Sequence, residues 1–241
     1  MIVSIIIIGD EILSAKFKDE NTPWLIQRCN EIGLQIRHIQ IIPDELERIS
    51  EAVRKASASS DFVITTGGVG PTHDDKTMEG IAKAFQCGLC TAPELATLII
   101  EKIGNRPGPL RMALVPDIYT IWDEDNNLFP QVVVKNVIVL PGIPKLMRLK
   151  FNSIAHRLKG KKKHIQKIYL QARESDIAIR LAEIQNRYPN VDIGSYPRYP
   201  SEGYNLILTA EAFEEAPLDK CLEELNQSFS SMIVSDAKSS N

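Results

Sequence analysis

The chain opens on an apolar run, Ile2 to Ile8, interrupted only by Ser4 and followed at once by Gly9-Asp10-Glu11. A short run so rich in isoleucine predicts a strand buried on both faces of a parallel sheet. The period then changes. Leu25, Cys29 and Ile32 recur at helical spacing across 23–32, with Pro23 at the first helical position and Gly33 at the stop. Leu34, Ile36, Ile39, Ile41 and Ile42 mark a second strand over 34–42. Asp44 is placed to cap a helix carrying Leu46, Ile49, Val53 and Ala56 on one face, with Glu47 in the position that completes a capping box. Phe62 to Thr66 is a third buried strand. It runs into a glycine-rich loop, and Met78, Ile81, Ala82 and Phe85 then give the inner face of another helix. Strand–helix alternation of this kind predicts a parallel sheet covered by helices on both sides.

The middle of the chain is less regular. Residues 93–103 predict a helix, and Pro107-Gly108-Pro109 a break. Ile118 to Trp122 and Gln131 to Leu140 read as two strands joined by a polar turn through Asp123 to Asn127, and Pro141-Gly142-Ile143-Pro144 ends the second and starts a helix. Lys159-Gly160-Lys161-Lys162-Lys163 reads as a solvated connector, with a lipid or nucleic-acid patch as the alternative. Beyond it the pattern restarts: strand 165–172, helix 176–188, strands 191–196 and 204–209, helix 218–229 and a short strand 232–234. The expected fold is therefore α/β. A mostly parallel, three-layer sheet domain spans 1–158, and a small β-α-β-β-α-β, ferredoxin-like α+β domain spans 164–236.

Composition narrows the function classes. The net charge of −3 gives no electrostatic footprint for nucleic acid. The first apolar run has no basic segment before it and no small-residue cleavage site after it, and it is too short to span a bilayer. The expectation is a cytoplasmic protein with no membrane partner. Cys87-Gly88-Leu89-Cys90 is a lone C-x-x-C without a second pair or nearby histidines, so idle thiols are the reading rather than zinc.

Chemistry concentrates in Thr66-Gly67-Gly68-Val69-Gly70-Pro71-Thr72-His73-Asp74-Asp75. Glycines between a buried strand and a helix let the backbone approach a ligand, and the amides at the helix start favour phosphate. It is neither a Walker loop, lacking Gly-Lys-Ser/Thr, nor a dinucleotide fingerprint, since His73 stands where the third glycine belongs. A tight turn before a helix is the bland alternative. Asp74 and Asp75 are suited to a hard divalent cation, or else to capping the helix. Asp44, taken alone, is an N-cap, though it shares the sheet edge with Asp10 and Glu11. His73 is the one histidine in a suggestive place; His38, His156 and His164 are not.

Five blocks in order resemble the molybdopterin-binding-domain superfamily, which includes molybdenum-cofactor biosynthesis enzymes and the competence/damage-inducible proteins. They are Gly9-Asp10-Glu11-Ile12-Leu13, Asp19-x-Asn21, Pro43-Asp44, the loop through Thr77, and Pro141-Gly142-Ile143-Pro144. Glu174-Ser175-Asp176-Ile177-Ala178 and Ile193-Gly194-Ser195-Tyr196-Pro197 extend the likeness to the N-terminal region of bifunctional eukaryotic-type FAD synthases. The resemblance implies a nucleotide pyrophosphatase acting on FAD, to give FMN and AMP, or on ADP-ribose. Magnesium, manganese or cobalt, together with potassium, would support it, and homo-oligomers are common among relatives. It places Gly67, Gly68, Gly70, Pro71 and Thr72 at the phosphate, Asp75 and Asp44 at the acidic positions by phosphate and metal, and Pro141-Gly142 on the pocket wall; with Asp74 from the paired carboxylates, the expected catalytic residues are Asp44, Asp74 and Asp75, and the expected metal ligands Asp74 and Asp75. Gly9, Asp10, Glu11, Asp19, Asn21, Thr66, His73 and Thr77 join them as binding residues. Ala15 departs from the family, which commonly has glycine there, and the adenylyltransferase domain that makes FAD is not expected in this chain. Two other readings stay open: a protein that binds or adenylylates molybdopterin, and a non-catalytic regulatory or oligomerisation module.

Overall fold

Alternate residues of the first strand enter two different cores. In the computed structural model, which describes residues 1–122, 129–198 and 203–234, β1 (Ile2–Ile8) sends Ile6 and Ile8 to one face and Val3, Ile5 and Ile7 to the other. All five are 2% exposed or less. Each such isoleucine contributes about 1.5–3 kcal/mol by leaving water, which is why the run is apolar throughout rather than alternating. The chain divides into two compact units, Met1–Lys161 and Lys162–Asn241.

In the first unit β1 is followed by a short helix α1 (Asp10–Leu13), α2 (Asn21–Glu31), β2 (Gln35–Ile42), α3 (Leu46–Ser59), β3 (Phe62–Thr66), α4 (Thr77–Phe85), β4 (Leu89–Thr91), α5 (Pro93–Ile103), α6 (Pro107–Leu110), β5 (Leu114–Pro116), β6 (Tyr119–Trp122), β7 (Gln131–Val134), β8 (Val137–Leu140) and α7 (Pro144–Ile154). The sheet order is β2-β1-β3-β8-β7-β6. β2, β1, β3 and β8 run parallel, while β7 and β6 are antiparallel additions. Helices α3 and α4 cover one face through Ile49, Val53 and Ile81. Helices α2 and α7 cover the other through Leu25, Cys29, Met147 and Phe151. The three-layer, mostly parallel arrangement expected from the sequence is the observed one.

Several local readings are corrected. The run 131–140 is not one strand but a hairpin, turned at Lys135 (φ 53) and Asn136. Both arms are fully buried, so no alternation of polarity marked the turn. Helix α2 starts at Asn21, ahead of Pro23, because the Asp19 carboxylate accepts the amides of Asn21 (2.9 Å) and Thr22 (3.0 Å). Pro107 to Leu110 forms a single helical turn rather than a simple break. Asp44 does not cap α3: the helix begins at Leu46 without a side-chain cap, and Glu47 pairs with Lys83 instead of completing a capping box. The turn expected at Asp123 to Asn127 lies outside the described residues.

The second unit runs β9 (His164–Leu170), α8 (Glu174–Arg187), β10 (Asp192–Pro197), β11 (Leu206–Ala212) and α9 (Glu215–Ser228). Its sheet has the order β10-β11-β9, with antiparallel neighbours. The expected final strand is reduced to one bridge, Ile233 to Leu170, and a Val234 amide bond to the Tyr169 carbonyl at 2.9 Å. That bridge lies beside β9, where a split β-α-β sheet places its last strand. Ile177, Ile184, Leu218 and Leu225 from the two helices pack on Leu206 and Leu208.

Candidate active site

The glycine loop leaves the end of β3, and its neighbour across the sheet, β8, ends in Pro141-Gly142. The two chain ends are tied together by side chains. Asn21 donates to the Gly142 carbonyl (2.7 Å) and to Thr66 Oγ1 (3.2 Å), while Thr66 Oγ1 donates to the Pro141 carbonyl (2.8 Å). Thr77, fully buried at the start of α4, reaches back to the Gly67 carbonyl at 2.8 Å, and its amide bonds the Gly68 carbonyl at 3.0 Å. Gly67 (φ 100) and Gly68 (φ 62) both have left-handed backbone. A Cβ at Gly67 would collide with the Ile8 carbonyl, so glycine is required there twice over. The consequence is a tight strand end whose Gly68 and Val69 amides have no acceptor among the described residues. Unpaired amides on a left-handed turn make a concave anion seat.

Asp75 closes the loop from the far side. Its Oδ1 accepts the Gly70 amide (2.7 Å), and its Oδ2 accepts the Thr72 amide (2.8 Å) and the Thr72 hydroxyl. Both oxygens therefore shape the loop. Asp74 next to it is exposed. Asp44 approaches from the end of β2. Its Oδ2 accepts the Asp10 amide at 3.0 Å, and its Oδ1 would stand 3.0 Å from a Cβ on Gly68. Burial raises the Asp44 pKa; the Asp10 amide opposes this, and the charges of Asp10, Glu11 and Asp74 add to the rise. The charges of Asp10, Glu11 and Asp74 are thus all felt at Asp44.

A cleft of about 640 Å³ opens in front of these elements, a volume within the usual range for small-molecule sites. Of the residues singled out from the sequence, Glu11, Asp19, Asn21, Thr66, Gly67, Gly68, Gly70, Pro71, Asp75, Pro141 and Gly142 line it. Thr77 supports the loop from behind, Asp10, Asp44 and Asp74 flank it, and Thr72 and His73 form its exposed tip. Gly9 ends β1 by bonding the Ile42 carbonyl at 3.1 Å. The lining carries Glu11, Asp19, Glu20 and Asp75 against a single amine, Lys18. Among the described residues no group of three His, Cys, Asp or Glu side chains is arranged as a metal site. A magnesium-type ion needs fewer, since one or two carboxylates plus substrate phosphates and water suffice. A cation there would offset the charges of Asp10, Glu11 and Asp74, which add to the rise that burial produces at Asp44. Asn21 Oδ1 and Thr22 Oγ1 are buried with no hydrogen-bond partner among the described residues. Sequence reasoning missed Phe17 and Met112 in the lining, which as lone apolar residues carry no signal apart from core, while Ile12 and Ile143 fall inside the blocks Gly9 to Leu13 and Pro141 to Pro144. Cys87 and Cys90 are free thiols, and no helix among the described residues is long and apolar enough to cross a membrane.

A family model described as a probable molybdopterin binding domain matches residues 4–160, and one described as the middle domain of FAD synthase matches 162–238. A protein of Archaeoglobus fulgidus is 35% identical over 203 residues, which cover 84% of this chain and 87% of the relative. A probable FAD synthase of Caenorhabditis briggsae is 34% identical over 238 residues, 86% of this chain and 46% of the relative. The chain spans about half the length of the two Caenorhabditis FAD synthase relatives, 46% and 50%. The crystal structure of the protein CinA with unknown function from Thermoplasma acidophilum superposes with a TM-score of 0.61 at 31% identity, over 66% of this chain and 99% of that one. The glycine loop and the match over 4–160 make the chain a member of the molybdopterin-binding-domain family.

Proposed function

We propose that the N-terminal unit is a cation-dependent pyrophosphatase that cleaves a dinucleotide such as FAD or ADP-ribose. One observation carries the reading: Gly68 and Val69, whose amides have no acceptor among the described residues, line a cleft with Glu11 and Asp75, and the Asp44 carboxylate stands against Gly68. An anion seat beside uncompensated acids suits a phosphate that arrives with a cation. Magnesium, manganese or cobalt, with potassium as a supporting ion, would screen phosphate charge and polarise water there. Asp74, which is exposed, and Asp44 are the residues that would hold the cation. Asp75 keeps the loop in shape and stands beside it. The loop amides orient the pyrophosphate, and Asp44 would hold the cation that polarises the attacking water. Water adds to one phosphorus, the bridging P–O bond breaks, and FAD would yield FMN and AMP.

The test is incubation of purified protein with FAD, ADP-ribose or NADH, each with magnesium, manganese or cobalt and with or without potassium, followed by chromatography. Release of AMP with FMN or ribose phosphate, lost in Asp44→Asn, is the expected result. No cleavage in any mixture, with saturable molybdopterin binding instead, would replace this reading by the pterin one that the family description favours.

A further inference from the structure

Behind Val69 lies a second chamber of about 240 Å³, which shares Val69, Met112, Pro141 and Leu146 with the main cleft. Typical small-molecule sites start at roughly 300 Å³, so this space suits one ring system and not a whole dinucleotide. Its walls are apolar, with Leu95, Ile99 and Ile103 of α5 on one side. Among the described residues of the lining, Lys150 of α7 is the one polar side chain. Its Nζ donates to the Pro130 backbone carbonyl at 3.2 Å, and it forms no ion pair among the described residues. Burial alone holds the amine down to about 8.

An ammonium group has three donors and no acceptor. Among the described residues one of the three is used, and setting the others against an apolar wall costs free energy unless a group accepts them. The chamber adjoins the phosphate seat at Val69, whose amide is one of the open donors. We propose that this chamber receives a carbonyl-bearing heteroaromatic ring, of the flavin or pterin type, and that Lys150 selects it by donating to the ring carbonyl. Adenine, which has an exocyclic amine where those rings have a carbonyl, is disfavoured. This inference rests on the reading of the main cleft as the phosphate site, and it makes the flavin end of FAD, not its adenine end, the part held in the chamber.

Calorimetric titration with phosphate-free riboflavin, pterin and adenosine, and separately with inorganic pyrophosphate, tests it without requiring cleavage. In the unaltered protein riboflavin or pterin is expected to bind at least tenfold more tightly than adenosine, and which of the two binds better identifies the source. Lys150→Met should abolish that preference. Ile103→Trp, at a half-exposed chamber position, should remove ring binding by filling the space. Both variants should keep pyrophosphate affinity, which also certifies their folding. Ring binding untouched by Ile103→Trp, or absent from the unaltered protein, would overturn the proposal. Ring binding without AMP release from FAD would sink the hydrolysis alone, whereas FAD cleavage with unchanged KM in Ile103→Trp would sink the chamber alone.

Discussion

The Asp75 carboxylate accepts the amide hydrogen of Gly70, five residues earlier, at 2.7 Å, and so closes the glycine loop on itself. With the bonds to Thr72, one side chain fixes three loop donors. Asp75→Ala should therefore destabilise the metal-free protein by about 1–3 kcal/mol, the usual cost of unpairing charge-assisted hydrogen bonds. Asp75→Asn retains one acceptor and should lose less. Both tryptophans, Trp24 and Trp122, lie in the N-terminal unit, so urea unfolding followed by their fluorescence reports on that unit. If Asp75 served only a cation, the metal-free variants would unfold at the same denaturant concentration as the unaltered protein.

Asn21 should be a second keystone. It is 7% exposed and its amide group bonds the chain ends leaving β3 and β8. Asn21→Ala leaves the Gly142 carbonyl unpaired and is expected to cost about 1–3 kcal/mol. Asn21→Asp should cost at least as much, because a carboxylate oxygen would face that carbonyl. The same fluorescence unfolding measures both, and a variant within about 0.5 kcal/mol of the unaltered protein would remove Asn21 from the loop's support.

The parts of this architecture that the sequence made legible are those where one residue type has one physical use. Ile2 to Ile8 could only be a strand buried on both faces, and Gly67-Gly68 could only be a left-handed turn. What escaped was set by tertiary partners. Asp44 has the sequence context of an N-cap, yet it bonds the amide of Asp10, 34 residues away. The hairpin at Lys135 was hidden because both its arms are buried. Lys150 gave no signal, since its role depends on α5 and α7 bordering the same chamber, a relation between elements that no local pattern encodes.

Lys150 also predicts a pH dependence of stability. Its pKa falls from 10.5 to about 8 on folding, so between those values the folded state binds fewer protons than the unfolded one. Stability from this group therefore rises as pH climbs through that window and is lost as pH falls through about 8. A full shift of this size corresponds to roughly 3 kcal/mol; the residue is partly exposed, which reduces the figure. Lys150→Met should stabilise the protein by about 2 kcal/mol at neutral pH, and the gain should shrink toward pH 10.5. The unfolding free-energy difference at the two pH values decides: an equal gain at both would place the amine in water.

The departure from the family at Ala15 has a structural counterpart. Its φ of 55 is left-handed, its amide bonds the Ile12 carbonyl at 3.1 Å, and the chain turns there from α1 toward Phe17 and Lys18 of the cleft wall. An L-residue in this conformation costs about 1–2 kcal/mol, and the extra backbone entropy of glycine about 0.5–1 kcal/mol. Ala15 is exposed, so its methyl group contributes little packing to offset the difference. Ala15→Gly should therefore stabilise the N-terminal unit by about 0.5–1 kcal/mol. The urea midpoint should rise with an unchanged slope, the mark of altered stability without altered compactness. Because the turn keeps its φ, nucleotide affinity should not change with it. A lower midpoint would mean that the Ala15 methyl group is packed, while a raised midpoint with weakened nucleotide binding would mean that the alanine holds Phe17 and Lys18 in place against the ligand.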